Sequence, residues 1–100
     1  MTELEQSIAD ELRITPEAAN ILLPEIQKNI KRARAELIRS GISDVIANSS
    51  NVLIEDAIVM FCLARMGEES EREKNQDAFT YQEDCLRKST LTIEEAADEE

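Results

Sequence analysis

Apolar residues recur at helical spacing from the first residues of the chain. Leu4, Ile8 and Leu12 stand four residues apart, with acidic residues at many of the positions between them. This pattern predicts a short amphipathic helix from Thr2 to Arg13. Since its apolar stripe is narrow, we expect the helix to dock on other parts of the fold.

The next stretch predicts a long helix that begins after Thr15 and ends at Gly41. Thr15 suits the N-cap, Pro16 the first helical position and Gly41 the stop after the last turn. Pro24 removes one backbone hydrogen bond, so we expect a kink there, or a short helix followed by a long one. An apolar stripe at spacings of three and four runs through the stretch: Leu22, Ile26, Ile30, Ala33 and Leu37.

The middle of the chain combines a polar stretch with a strongly apolar one. Residues 41–51 are rich in Ser, Asn and Asp, which predicts a loop, with a short helical turn as the alternative. Residues 52–66 are apolar at nearly every position, which predicts a central helix buried on all sides. Its β-branched residues would also suit a strand, but a length of about fifteen residues favours a helix.

The last helix is predicted from about Glu69 to Lys88. Only its second half has apolar residues at helical spacing, so we expect the charged first half to project into solvent or toward a neighbouring molecule. After Thr90 the composition changes again. Two interpretations of this segment remain open. It could form a last short helix with Thr92 and Glu95 as a capping box, or it could be a disordered acidic tail.

These elements predict an all-α fold, a small bundle of about four helices with a kinked or split second helix and an acidic C-terminal tail. Residues 1–90 would form the helical domain and residues 91–100 the tail. Aromatic residues make up 3% of the chain, and Gly and Pro together account for four residues. This composition favours aliphatic helix packing over a sheet with many turns.

The formal net charge is −11, and the charge is unevenly distributed. The bases concentrate in the second helix, and the acids at the start of the last one. Either run could be a solvated helix face, and the bases also complement the dipole of their helix. Opposite charges on different segments equally suit contact with copies of the chain or with a partner of mixed charge. The candidate interface bases are Lys28, Lys31, Arg32, Arg34 and Arg39, and the candidate acids are Glu68, Glu69, Glu71, Glu73 and Asp77.

Signals of catalysis or of a cofactor are lacking. The chain has no histidine, no glycine-rich phosphate loop and no nucleophile–base pair, so we expect no enzyme activity, cofactor or metal. Cys62 and Cys85 are predicted as two buried, reduced thiols too far apart to bridge. The N-terminus is acidic and the longest uncharged apolar run has eight residues, which predicts a soluble, intracellular protein.

Three stretches carry a resemblance to a known family: ITPEAANILLPEIQKNIKRARAELIRSGI, LIEDAIVMFCLARMG and EESEREKNQDAFTYQEDCLRKST. Over most of residues 2–90 the chain resembles the small helical head–tail connector proteins of tailed double-stranded DNA phages and prophages. These are also called head-completion or DNA-packaging proteins. The chain departs from their pattern at Met60-Phe61-Cys62, where many relatives have an aromatic pair, and in its acidic tail.

The resemblance implies a structural subunit that assembles beneath the portal vertex as a ring of about a dozen copies. The ring would continue the DNA channel, let double-stranded DNA pass without specific binding and present a surface to the next tail-completion protein. Its location would be the host cytoplasm during assembly and then the virion neck. The acidic residues could contact a neighbouring subunit or line the channel, and the basic residues could contact a neighbour or the portal. Reversing the charge of Arg32 and Arg34 should then impair assembly and leave the fold intact.

A second hypothesis rests on the acidity of the chain alone. A small acidic regulator, such as a DNA-mimicking inhibitor or an adaptor, would bind a basic protein partner through its carboxylates.

Overall fold

The computed structural model describes the backbone of residues 1–98 and the side chains of residues 1–89. The described residues form five helices and no strand, which confirms the all-α fold. The helices are α1 (Glu3–Leu12), α2 (Pro16–Arg39), α3 (Asp44–Ala47), α4 (Val52–Met66) and α5 (Glu69–Asp98).

Local hydrogen bonds fix the first residues of α1 and α2. Before α1, the Thr2 hydroxyl accepts a bond from the Glu5 N–H, and the Glu5 carboxylate accepts one from the Thr2 N–H, which completes a capping box. Before α2, the Thr15 hydroxyl accepts a bond from the Ala18 N–H at 3.1 Å. The N-cap predicted at Thr15 is therefore confirmed.

Gly41 ends α2 as the sequence predicts. Its φ of +115° is a conformation that other residues adopt only with strain. The turn lets the Gly41 N–H donate to the Ile38 carbonyl and the Ile42 N–H donate to the Leu37 carbonyl. These are the two bonds of a Schellman motif, and the buried side chains of Leu37 and Ile42 supply its apolar contact.

Pro24 lies within α2, which is one continuous helix from Pro16 to Arg39. Of the two alternatives, a kink or two separate helices, the second is therefore wrong. Proline has no backbone N–H, so the carbonyl of Asn20, four residues earlier, receives no helical hydrogen bond. Both Pro24 and Asn20 are exposed. Water can hydrogen-bond that carbonyl, which lowers the cost of the missing backbone bond.

The stretch between α2 and α4 contains the short helix α3, so the alternative of a helical turn is confirmed. The Ser43 hydroxyl caps it by accepting a bond from the Ile46 N–H. Ile42 and Ile46 are buried and hold the stretch to the core, whereas Val45 is 78% exposed.

Helix α4 lies at the centre of the bundle and packs against α1, α2 and α5. Its buried side chains run from Ile54 to Leu63, whereas Val52 and Leu53 in the first turn are exposed. The prediction of a central helix is therefore confirmed, and the prediction of burial on all sides is wrong for the first turn.

Helix α5 folds back on α4 after Gly67, with the Phe61 and Phe79 rings meeting edge to face at a centroid distance of 5.2 Å. The helix continues to Asp98, so its expected end near Lys88 and a separate helix beginning after Thr92 are both wrong. The sequence has no glycine or proline after Gly67 that would stop it. The side chains of Thr92 and Glu95, and residues 99 and 100 of the predicted tail, lie outside the described residues.

Within the described residues, no helix is both long enough and apolar enough to span a membrane.

Candidate functional site

The solvent side of α2 carries four of the five predicted basic residues in exposed positions. We call these four the basic face: Lys28, Lys31, Arg32 and Arg39. They alternate along the helix with the residues that α2 buries, chief among them Ile26, Ala33 and Leu37. Because the buried and exposed positions follow the helical period, the fold of α2 places these charges in solvent.

Arg34, the fifth predicted base, has a different environment. Its Nη1 donates to the backbone carbonyls of Ala47 at 2.8 Å and Ser49 at 3.2 Å. These carbonyls lie at the end of α3 and just after it, where no helical N–H reaches them. Arg34 therefore ties α3 to α2, and its contacts do not support the predicted role at an interface.

Helix α4 adds a basic residue that sequence reasoning missed. The Arg65 guanidinium lies over the Phe61 ring, 3.6 Å from its centre, and remains exposed. A shallow groove beside it is lined by Arg32, Arg39 and Glu36 of α2. The stacking of arginine on an aromatic face fixes the direction of the guanidinium, so Arg65 extends the positive surface of α2 onto α4.

Arg39 is partly neutralised within its own helix. Its Nε and Nη2 donate to the two carboxylate oxygens of Glu36 at 2.9 and 2.7 Å. This pairing lowers the pKa of Glu36 and raises that of Arg39. Arg39 is 75% exposed, so the ion pair adds little stability but places a fixed charge on the surface.

The predicted acidic residues lie in and just before the first half of α5, and all five are exposed. We call the exposed surface around the start of α5 the acidic face, although Glu71 lies on the opposite side of the helix from Glu69 and Glu73 at about 100° per residue. Its residues are Glu68, Glu69, Glu71, Glu73 and Asp77. Two bases are interspersed with them but neutralise little of the charge. Arg72 donates to the Gly67 carbonyl at 2.9 Å, and Lys74 approaches the Glu71 carboxylate only to 3.9 Å. The acidic face is therefore a solvated, negative surface on a helix other than the one that carries the basic face.

Two carboxyl groups, one on α2 and one on α5, interact in a way that no sequence pattern indicated. The carboxyl groups of Glu36 and Glu83 influence each other's pKa. Burial, followed by the effect of Glu36, raises the pKa of Glu83, and Arg39 and Arg87 oppose this increase. The Oε2 atom of Glu83 is buried, and no N–H or hydroxyl group donates to it.

The two cysteines differ in environment. Both are free, but only Cys62 is buried, so the prediction of two buried thiols is wrong for Cys85. Burial raises the pKa of the Cys62 thiol to about 12. Among the residues that the structure describes, no three Cys, Asp or Glu side chains form a group that could hold a metal ion.

Comparison with models of known protein families, with curated protein sequences and with solved structures found no match to this chain.

Proposed function

We propose that this chain is the structural subunit of a head–tail connector ring of a tailed double-stranded DNA phage or prophage and acts without catalysis. The resemblance of residues 2–90 to that family suggests the proposal. One structural observation carries it: the chain buries its own core and leaves surfaces of opposite charge exposed on two different helices.

A ring requires two different surfaces on each subunit that complement each other. Contacts of this head-to-tail kind close into a ring when the rotation between subunits fits. The basic face on α2, extended by Arg65, and the acidic face on α5 form such a pair. We assign the contact between neighbouring subunits to these two faces, where opposite potentials set register and orientation.

The charge of the chain also fits a channel through which DNA passes. With a net charge of −11, the subunit repels the phosphate backbone as a whole. DNA could then slide past the ring without the contacts between cations and phosphates that supply non-specific binding. The basic residues that could bind phosphate would be covered by the acidic face of the next subunit.

A charge-swap experiment tests the subunit contact. The variants Arg32→Glu and Glu71→Lys each place a like charge opposite the proposed partner face, so each alone should lose association. An equimolar mixture of the two should recover it, since the introduced glutamate of one variant then meets the introduced lysine of the other across an interface. Glu17→Lys, an exposed change in the first turn of α2, is the control and should associate like the wild type.

Association is measured by native mass spectrometry at high protein concentration, with the chain alone and with the product of a portal gene that neighbours its own gene. A connector can remain monomeric until it docks, so the measurement with the portal protein decides the outcome. Rings in either arm, lost in the single variants and recovered in the mixture, support the proposal. Absence of assembly in both arms contradicts it, as would a genome without neighbouring portal, terminase and capsid genes.

The exposed carboxylates around the start of α5 favour one second candidate, a small acidic regulator that binds a basic protein. Binding of a DNA-binding protein with nanomolar affinity, lost on Glu71→Lys and insensitive to Arg32→Glu, would favour the regulator. The connector instead requires that both substitutions impair assembly.

A further inference from the structure

The side chain of Glu5 serves both the N-cap of α1 and the attachment of α1 to α2. Its Oε1 atom accepts a bond from the Thr2 N–H at 2.7 Å, and its Oε2 atom accepts one from Nε2 of Gln27 on α2 at 3.1 Å. Within the part of the chain that the structure describes, α1 makes no other hydrogen bond to another helix. Glu5 is only 8% exposed, so one buried carboxylate carries the polar part of this attachment.

The rest of the attachment of α1 is apolar. The helix packs against α4 and α2 and buries Leu4, Ile8 and Ala9. A helix of ten residues is too short to be stable in water by itself. Undocking from the bundle and loss of helical structure should therefore occur together, as one local unfolding step.

The connection between α1 and α2 is strained while α1 is docked. Arg13, the C-cap of α1, has a φ of 56°, in the left-handed region that a residue with a Cβ atom adopts only at a cost. Only Ile14 separates it from Thr15, the N-cap of α2. Release of α1 would let Arg13 leave this conformation, which offsets part of the cost of undocking.

The two bonds of Glu5 require an ionised carboxylate. An ionised carboxylate has only acceptor oxygens and so suits the two donors that face it, whereas protonation turns one oxygen into a donor. Gln27 can then keep its bond only by turning its amide over, and this neutral bond is weaker than the charge-assisted one. Protonation of Glu5 therefore weakens the cap and the attachment of α1 at the same time.

We propose that Glu5 is an acid-sensitive latch, which holds α1 on the bundle while its carboxyl group is ionised and releases α1 when that group is protonated. The latch acts within one chain and does not depend on the proposed ring.

Charged groups of both signs surround the latch. Glu5 lines two shallow grooves, whose other charged residues come from α1, α2 and α4: Glu3, Lys28, Lys31, Arg34 and Glu55. The N-terminal ammonium group also acts on Glu5 and favours its ionised form. Three of the five charged neighbours are cations, so the surroundings do not favour a proton on Glu5 at neutral pH.

The direction of the pH effect follows from these contacts. The bond from the Thr2 N–H lowers the pKa of Glu5, burial opposes this decrease, and the bond from Gln27 adds to it. Since the pKa of folded Glu5 lies below its unfolded value of about 4.3, the latch contributes fully above that pH. Its contribution is lost as the pH falls through the pKa of folded Glu5.

NMR titration of carbon-13-labelled glutamate side chains tests the state of the latch. The midpoint of Glu5 should lie below the value of an exposed glutamate, about 4.3. Gln27→Met removes the donor on α2 and keeps the length of the side chain, so the midpoint of Glu5 should rise in this variant. In the control Gln76→Met, an exposed glutamine on α5, it should not move. A wild-type midpoint at or above about 4.3 would overturn the proposal.

Hydrogen exchange measured by mass spectrometry tests the release of α1, with α4 as the internal reference. Between a pH of about 6 and a pH of about 3.5, protection of the α1 amides relative to those of α4 should fall about tenfold in the wild type, the effect of one charge-assisted bond. Glu5→Gln cannot titrate, so its ratio should stay constant with pH. The control Glu3→Gln, an exposed acid in the same turn, should behave like the wild type. A parallel loss of protection in α1 and α4, or the same fall in Glu5→Gln as in the wild type, contradicts the latch.

Discussion

Arg32 and Arg34 show how two arginines, two residues apart in one helix, take different roles. Arg32 points to solvent on the basic face, whereas Arg34 donates to the carbonyls of Ala47 and Ser49. The expectation that both can be reversed without harm to the fold therefore remains a prediction for Arg32 alone. Reversal of Arg34 would place a carboxylate against two carbonyl oxygens, all of them acceptors.

Replacement of Arg34 should therefore affect stability, and replacement of Arg32 should not. Arg34→Ala leaves two partly buried carbonyls without a donor, which costs about 1–3 kcal/mol. Arg32→Ala, the matched control, should stay within about 0.5 kcal/mol of wild type. Urea unfolding followed by circular dichroism measures both. Equal unfolding midpoints for the two variants would show that the Arg34 bonds do not hold α3.

The cysteines provide a second prediction at this scale. The Cys62 thiol, with a pKa of about 12 and no solvent access, should not react with a thiol reagent in the native protein at a pH of about 8. Cys85 is exposed and should react. A thiol count with Ellman's reagent should therefore give one group in native wild-type protein, two after denaturation and none in native Cys85→Ser. A native count of two would mean that α4 opens readily.

At the scale of the elements, α4 should tolerate charge at its first turn and nowhere in its middle. Ile58 is fully buried and Leu53, five residues earlier, is 57% exposed. Ile58→Asp places an unpaired charge in the core, a cost of several kcal/mol that approaches the whole stability of a small domain. We expect loss of the cooperative thermal transition for Ile58→Asp and for Leu63→Asp.

Leu53→Asp is the matched control, since it introduces the same charge into the same helix. Its carboxylate stays in water near the helix N-terminus, where the dipole favours it. It should melt close to wild type. If Leu53→Asp unfolded as readily as Ile58→Asp, the first turn of α4 would have to be covered.

The elements also show which features the sequence could predict. Thr15, Pro16 and Gly41 act through neighbours a few residues away, so the bounds of α2 could be predicted from the sequence. The exposure of Cys85 could not be predicted, because that residue stands at the edge of the apolar stripe of α5, where the periodicity does not decide between a buried and an exposed position. The bonds of Arg34 and the interaction of Glu36 with Glu83 join residues far apart in sequence, and no local pattern indicates such pairs.

For the whole molecule, the question is how a chain of net charge −11 remains folded. The ion pairs among the described residues join residues three or four apart in the same helix and are largely exposed, so they contribute little. The core formed by α1, α2, α4 and α5 must therefore outweigh the repulsion among carboxylates. Charge in this protein opposes folding, whereas in the proposed ring it favours association.

Salt should therefore act in opposite directions on the two processes. Raising sodium chloride from about 0.02 M to about 0.5 M screens the repulsion within one subunit, so the urea midpoint of dilute protein should rise. The same salt screens the attraction between the basic and acidic faces, so association of concentrated protein in sedimentation velocity should weaken. Association that strengthens with salt would instead indicate an apolar contact, for which the exposed side chains of Ile21, Val45 and Tyr81 are the candidates. In that case the charged faces would not be the subunit interface, and the charge-swapped mixture would fail to recover assembly for the same reason.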